Sequence, residues 1–126
     1  MQKLLASILL LSAVLLAGCR TAPVYNVTEA ALPSGKQHSM KDVEAAILRA
    51  GDKLGWTMRA VKPGEVQGTL ALRTHVAVVS IPYSQKGYSI VYKSSENLNY
   101  DGTQIHSNYN GWIQNLERRI NVELAN

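Results

Sequence analysis

Three β-strands are predicted within residues 66–93, which read VQGTLALRTHVAVVSIPYSQKGYSIVYK. Residues 66–73 alternate between apolar and polar side chains, the period-two pattern of a strand with one buried face. Residues 76–81 are β-branched and almost continuously apolar, which is typical of a central strand. After a Ser-Gln-Lys-Gly turn, residues 88–93 form a further strand. Residues 73–75 are either a hairpin turn or a bend in one long strand.

An amphipathic helix is predicted on the N-terminal side of these strands. Ser39 and Asp42 have the spacing of a capping box, which marks a helix start, and Gly55 is a natural stop. Between these positions, apolar residues recur at three- and four-residue steps. The stripe consists of Met40, Val43, Ile47, Ala50 and Leu54. Trp56–Val61 then alternates as a fourth strand, followed by a type II turn at Pro63-Gly64.

A second helix is predicted at the C-terminal end, capped by Ser107 or Asn108. Its apolar stripe is Trp112, Ile113, Leu116, Ile120 and Leu124, with Glu117, Arg118, Arg119 and Glu123 on the outer side. Two amphipathic helices that bracket a meander predict an α+β fold in the order α-β-β-β-β-α. We expect both helices on one face of an antiparallel sheet. That sheet has four strands, or five if Val24–Val27 adds an edge strand.

Residues 1–18 have the pattern of an export signal. Lys3 supplies a basic start, and Leu4–Ala17 is apolar apart from two serines. A membrane-spanning helix needs about 20 apolar residues, so this run is too short to be one and has the length of a secretory signal. The four residues that close it, Leu16-Ala17-Gly18-Cys19, resemble the lipobox of bacterial lipoproteins.

The lipobox resemblance implies that Cys19 is lipidated. In that family a diacylglycerol is attached to the cysteine sulfur, the signal peptide is removed, and the new amino terminus is acylated, with palmitate as the expected chain. In diderm relatives, an aspartate after the cysteine retains the protein at the inner membrane. Arg20 occupies that position here. The resemblance therefore implies a lipoprotein on the periplasmic face of the outer membrane, or of the inner membrane if sorting differs.

The chain is thus predicted to have three parts: a signal peptide (1–18), the lipidated cysteine with a tether (19–38), and one α+β domain (39–126). Prolines and a glycine punctuate the predicted tether, and no helical period appears in it. Several runs in the domain resemble small proteobacterial lipoproteins of unassigned function. These runs are Leu70–His75, Ile81–Tyr83, Tyr88–Tyr92 and Ile105–Trp112. The architecture also resembles helix-grip domains in accessory lipoproteins of outer-membrane protein assembly.

The sequence carries no motif for catalysis or metal binding. Its single cysteine excludes an intrachain disulfide and a CxxC motif. The serines lack a GxSxG elbow, the carboxylates form no visible dyad, and the three histidines lack zinc-ligand spacing. A formal net charge of +4 without clustered Lys and Arg does not indicate nucleic-acid binding. We therefore expect no enzyme, no cofactor, no metal and no nucleic-acid partner, and a small hydrolase is the least favoured function.

Two features indicate a binding surface. Residues 97–112 are rich in aromatic and amide side chains of the kind that recognise sugars or peptide backbones. Alternatively, Tyr109 and Trp112 pack the helix onto the sheet, and the asparagines cap that helix. The sheet face opposite the helices is expected to be basic and hydroxyl-rich, or else an ordinary solvated face. Thr57, Gln67 and Thr69 belong to that face. The candidate residues are Arg59, Arg73, Lys93, Tyr100, His106, Asn108, Tyr109 and Trp112.

The sequence therefore predicts a membrane-anchored periplasmic lipoprotein that acts as a binding or scaffolding module in the cell envelope. The expected partners are the membrane, through the lipid on Cys19, and an envelope protein. The alternative is a binder of a small envelope ligand, such as a glycan strand or a lipid headgroup.

Overall fold

A computed structural model describes residues 20–33 and 36–126. In chain order the elements are β1 (Thr21–Pro23), β2 (Val27–Ala31), α1 (Met40–Lys53), β3 (Thr57–Lys62), β4 (Glu65–Leu72), β5 (His75–Pro82), β6 (Gly87–Glu96), β7 (Gln104–His106) and α2 (Ser107–Ala125). The predicted signal peptide and Cys19 lie outside the described residues. Within those residues, no helix combines the length and the apolar character needed to cross a membrane.

A five-stranded antiparallel sheet in the order β2-β6-β5-β4-β3 forms the centre of the fold. The predicted α+β class, the two helices and the four strands β3 to β6 are confirmed. Strands β4 and β5 pair from Glu65↔Pro82 to Leu72↔His75, so Arg73 and Thr74 form the turn of a hairpin. Arg73 has a φ of 55° in that turn. Its predicted place on the sheet face is therefore wrong, because the strand ends one residue before it.

Both helices pack on the same face of this sheet. One row of that inner face consists of Met58, Gly68, Val79 and Tyr92, one residue from each of β3 to β6. At the β3 end of the row, the Met58 side chain fills the space beside Gly51 of α1. At the β6 end, the Tyr92 ring meets Tyr109 of α2 edge-on, with ring centroids 5.7 Å apart. Because side chains alternate along a strand, the buried residues of β4, β5 and β6 face the helices.

The helices follow the predicted stripes with two differences at their ends. Ser39 and Asp42 form both hydrogen bonds of the capping box at α1. Met40 and Leu54, at the ends of the α1 stripe, are exposed rather than buried. Helix α2 is capped by His106, whose Nδ1 accepts the Asn108 N–H at 3.2 Å. The four consecutive stripe positions that α2 buries completely are Ile113, Leu116, Ile120 and Leu124.

The segment predicted as a tether contributes two strands to the fold. β2 pairs with the edge of β6, and its residue Val27 is buried opposite Ile90. The fifth strand is therefore Val27–Ala31 rather than Val24–Val27. β1 pairs with β7 in a separate two-stranded sheet. The side chain of Asn110 holds the connection between them, because its Oδ1 accepts the N–H of Tyr25 at 2.9 Å. Tyr25 and Asn110 are 85 residues apart in the sequence. A local sequence pattern therefore cannot predict the hydrogen bond between them.

Glu123 is buried, although the helical pattern placed it on the outer side of α2. Its side chain is only 3% exposed, and Lys53 Nζ lies 2.5 Å from one carboxylate oxygen. Arg119 and Arg49 approach the same carboxylate at 3.7 Å and 4.0 Å. The hydrogen bond from Lys53, followed by the charges of the three cations, holds the pKa of Glu123 below its usual range. The cations on α1 cannot be inferred from the pattern of α2 alone.

Replacing Glu123 with Gln is expected to lower stability at pH 7, and the deficit should narrow as the pH falls. A carboxylate with a lowered pKa stabilises the folded state above its unfolded pKa, about 4.3, and loses that contribution as the pH falls through the folded pKa. Urea unfolding of both proteins between neutral and acidic pH measures the difference. A deficit that stays constant across this range would show that the ion cluster does not stabilise the fold.

Candidate functional site

Several predicted site residues meet at one end of the sheet. The β4–β5 turn, residues 97–103 and the start of α2 form this end, which we call the hairpin end. His75 Nδ1 donates to the carbonyl oxygen of Asn97 at 2.7 Å, and Asn97 Nδ2 donates to Thr74 Oγ1 at 2.7 Å. The candidate residues that the structure brings here are Arg73, Tyr100, His106, Asn108 and Trp112. Arg59 and Lys93 lie instead on the face of the five-stranded sheet that is opposite the helices.

A polar aromatic cluster is the main feature of the hairpin end. The ring of His75 lies 6.4 Å from that of His106 and 6.5 Å from that of Trp112, measured between centroids. His75 is not among the residues predicted for a site from the sequence. Placing a hairpin turn at residues 73–74 would have brought His75 into consideration, because it directly follows that turn.

The two histidines of this cluster use their Nδ1 atoms in opposite ways. Nδ1 of His75 donates to a carbonyl oxygen, which leaves its Nε2 as an acceptor. Nδ1 of His106 accepts a backbone N–H, so its Nε2 carries the proton and is a donor. The cluster thus presents one donor and one acceptor beside an indole ring. Among residues 20–33 and 36–126, no three His, Cys, Asp or Glu side chains form a potential metal site.

Tyr109 is a core residue and has no surface for a ligand. It is fully buried, and it belongs to a tyrosine cluster in which Tyr92 lies 4.1 Å from Tyr100 and 5.7 Å from Tyr109 between ring centroids. Burial raises the pKa of the Tyr109 hydroxyl. The alternative that Tyr109 packs the helix onto the sheet is therefore correct for this residue. Trp112, by contrast, is only partly buried.

A pair of Tyr→Phe variants tests this packing. Among the described residues, the buried hydroxyl of Tyr109 has no hydrogen-bond partner, whereas that of Tyr88 donates to Asn121 Oδ1 at 2.7 Å. A satisfied hydrogen bond contributes about 1 kcal/mol, and a buried unsatisfied group contributes none. Tyr88→Phe is therefore expected to cost about 1 kcal/mol in urea unfolding, and Tyr109→Phe to be neutral or stabilising. A larger loss of unfolding free energy for Tyr109→Phe than for Tyr88→Phe would contradict the structure.

Among residues 20–33 and 36–126, no helix covers the sheet face opposite α1 and α2, which we call the outer sheet face. Two of its rows are Arg59, Gln67, Ser80 and Val91, and Thr57, Thr69, Val78 and Ser94. Lys93 belongs to it as well, because its Nζ donates to Gln67 Oε1 at 2.7 Å. Ser80 Oγ donates to Glu65 Oε2 at 3.2 Å. The predicted polar and basic positions Arg59, Gln67, Thr69 and Lys93 are therefore together on one surface.

The centre of the outer sheet face is more apolar than the sequence analysis predicted. Val76 and Val78 are partly exposed, and Val91 is 39% exposed. The apolar run in β5 predicted a central strand, and β5 is indeed the middle strand of the five. Among the described residues, the helices cover only one face of β5, so its outward valines are available for contact.

A cavity lies at the other end of the sheet from the hairpin end. Its volume is about 530 Å³. Residues that line it include Glu29, Pro82, Ser84, Lys86 and Ser89. It forms where β2 is interrupted by a bulge, at which Glu29 has a φ of 49° and donates its N–H to Ser89 Oγ. This cavity was not predicted from the sequence, because residue 29 falls in the segment predicted to be a tether.

Comparisons with known proteins provide no function for this chain, so a function has to be inferred from the chemistry of these surfaces. No protein-family model, no curated protein and no solved structure matches this chain.

Proposed function

We propose that this chain is a lipid-anchored protein of the cell envelope whose outer sheet face binds another protein. The observation that carries the proposal is the composition of that face. Val76, Val78 and Val91 are its outward apolar residues on β5 and β6, and the basic residues Arg59 and Lys93 lie on the same face. Exposed apolar side chains combined with polar and cationic groups are what a protein interface requires.

Two details favour a protein partner over simple solvation of this face. A solvated antiparallel face normally carries polar side chains at outward positions, and here three of those positions on β5 and β6 are valine. In addition, the Lys93 ammonium is held by Gln67 across the intervening strand. A preordered cation loses less side-chain entropy when it meets an acidic group on a partner.

The anchor in this proposal comes from the lipobox resemblance of Leu16–Cys19. Acyl chains on Cys19 would hold the domain at a membrane, and Arg20 after the cysteine favours the periplasmic face of the outer membrane over the inner membrane. No catalytic or cofactor role is proposed, and the protein acts by binding.

Photo-crosslinking in living cells tests the protein-binding role with the full chain. A photoreactive amino acid at Val78, on the outer sheet face, is expected to give one discrete covalent adduct with an envelope protein. Val122 is the matched control, since it is a valine that is 48% exposed on α2. The adduct should disappear when Arg59→Glu and Lys93→Glu are combined. Absence of an adduct at Val78, or the same adducts at both positions, would contradict the proposal.

A small envelope ligand is the second candidate, and the cavity near Lys86 favours it. The cavity combines a cation with hydroxyl groups and the apolar rings of Pro82 and Tyr83, a mixture that suits a glycan or a lipid headgroup. Titration of soluble peptidoglycan fragments into the isotope-labelled protein should then give saturable amide shifts confined to residues 82–89. Shifts that are absent or spread over the whole domain would exclude this site.

A further inference from the structure

We infer that the hairpin end of the domain lies directly on the membrane surface. In this orientation the strands of the sheet run away from the bilayer, and their ends at the hairpin end contact it. The inference rests on the proposed lipid anchor at Cys19. It adds to that proposal the orientation of the domain and the residues that contact the lipid headgroups.

The chain is attached to the hairpin end from its first described residue. The carbonyl oxygen of Arg20 accepts the N–H of Ser107 at 2.9 Å, and Thr21 pairs with His106 in the small sheet. Val24 then donates its N–H to the carbonyl oxygen of Thr103 at 3.1 Å. These hydrogen bonds remove the slack that a tether would have.

Covalent geometry limits the length of chain between the proposed anchor and the domain. Consecutive Cα atoms are about 3.8 Å apart across a trans peptide bond, whereas 19 free residues would reach roughly 60 Å. Arg20, the residue bonded to Cys19 in the sequence, is itself hydrogen-bonded to the first turn of α2. The domain cannot stand away from a bilayer that holds those acyl chains, and the surface around Arg20 must meet the headgroups.

The side chains around this point suit a lipid–water interface. Leu72 is 44% exposed and Tyr100 is 43% exposed, and Trp112 is partly buried beside His75. Tyrosine and tryptophan are enriched at such interfaces because each has an apolar ring and a polar tip.

The charges at this end are compatible with anionic headgroups. Arg20 and Arg73 are both exposed. The acidic groups nearby are Glu96, at the end of β6, and Asp101. The Asp101 carboxylate accepts the backbone N–H groups of Thr103 and Gln104. One oxygen of this carboxylate is therefore already occupied by hydrogen bonds within its own loop.

This orientation determines what remains accessible above the membrane. From Val66 to Leu72, β4 rises by about 20 Å, at roughly 3.3 Å per residue. The cavity near Lys86 then lies at the end of the sheet that is far from the bilayer. The outer sheet face is roughly perpendicular to the membrane surface. A protein partner then approaches alongside the membrane.

Two labelled variants measure the orientation. Leu72→Cys and Val61→Cys both place a thiol at an exposed apolar position, 44% and 39% exposed, at opposite ends of the same sheet. In the lipidated protein Cys19 is acylated, so a nitrobenzoxadiazole fluorophore attaches only to the introduced cysteine. Each protein is reconstituted in vesicles of phosphatidylethanolamine and phosphatidylglycerol that carry a nitroxide on the headgroup. Mass spectrometry of the N-terminal peptide reports the acylation of Cys19.

The expected result is acylated Cys19 and several-fold stronger nitroxide quenching at position 72 than at position 61. Acylation with equal quenching, or with stronger quenching at position 61, would overturn the orientation and leave the proposed anchor intact. An unmodified Cys19 in protein recovered from membranes would overturn the anchor and this inference together. Circular dichroism of both variants confirms that they retain the fold.

Discussion

Replacing Leu116 with alanine is expected to lower the free energy of unfolding by about 2–5 kcal/mol, the range for truncating a fully buried leucine. Leu116 lies in the middle of α2 and is completely buried in the core between the helices and the sheet. The variant loses the burial of the removed methyl and methylene groups and leaves a cavity that the neighbours fill only in part. Urea unfolding of the chain from residue 20 onwards measures the change.

Val122→Ala is the matched control for this variant. Val122 is on the same helix but is 48% exposed. Removing its methyl groups is expected to change stability by less than about 0.5 kcal/mol, as for most surface substitutions. Similar losses for the two variants would mean that α2 does not present the Leu116 side to the sheet. An unchanged midpoint for Leu116→Ala would contradict the core described for this protein.

Cys19→Ala is expected to abolish labelling with radioactive palmitate and, with it, the contribution of the acyl chains to membrane binding. Each buried methylene of an acyl chain contributes about 0.8 kcal/mol, and one chain alone binds only marginally. The three chains that bacterial lipoproteins carry make dissociation negligible, and loss of the acyl acceptor removes all three contributions at once. Fractionation and labelling of whole cells measure both effects.

Two control variants separate lipidation from export and sorting. Ser12→Ala changes the same predicted signal without removing the acceptor, and it should leave labelling unchanged. Arg20→Asp should retain the label while moving the protein to the inner membrane, as the lipobox resemblance implies. Continued palmitate labelling of Cys19→Ala would show that the lipobox interpretation is wrong.

Much of the fold was predictable because its signals are local. Ser39 and Asp42 are three residues apart and form the capping box that their spacing predicts. Along β4, β5 and β6, alternate residues point to the inner face and are buried there, as the sequence pattern indicates. Such features depend on the geometry of one helix or one strand, so neighbouring residues are sufficient to specify them.

The candidate sites were less predictable because they combine residues from distant segments. Arg59 and Lys93 do lie on the sheet face that alternation assigned to them. Tyr109 is adjacent in sequence to candidate residues at the surface, yet it points into the core. His75 reaches the cluster with His106 and Trp112 only because the β4–β5 hairpin ends there. Spacing in the sequence does not report which loops meet at one end of a sheet.

Local patterns in this chain thus established which side of each main helix and strand is apolar, and with it the α+β class. The tertiary structure alone decided what meets those sides and ends. It placed Glu123 of α2 against Lys53 of α1, and it paired β1 and β2 with strands near the other end of the chain. The physical reason is that periodicity reflects burial within one element. Ion pairs and strand registers depend instead on groups that only folding brings within a few ångströms.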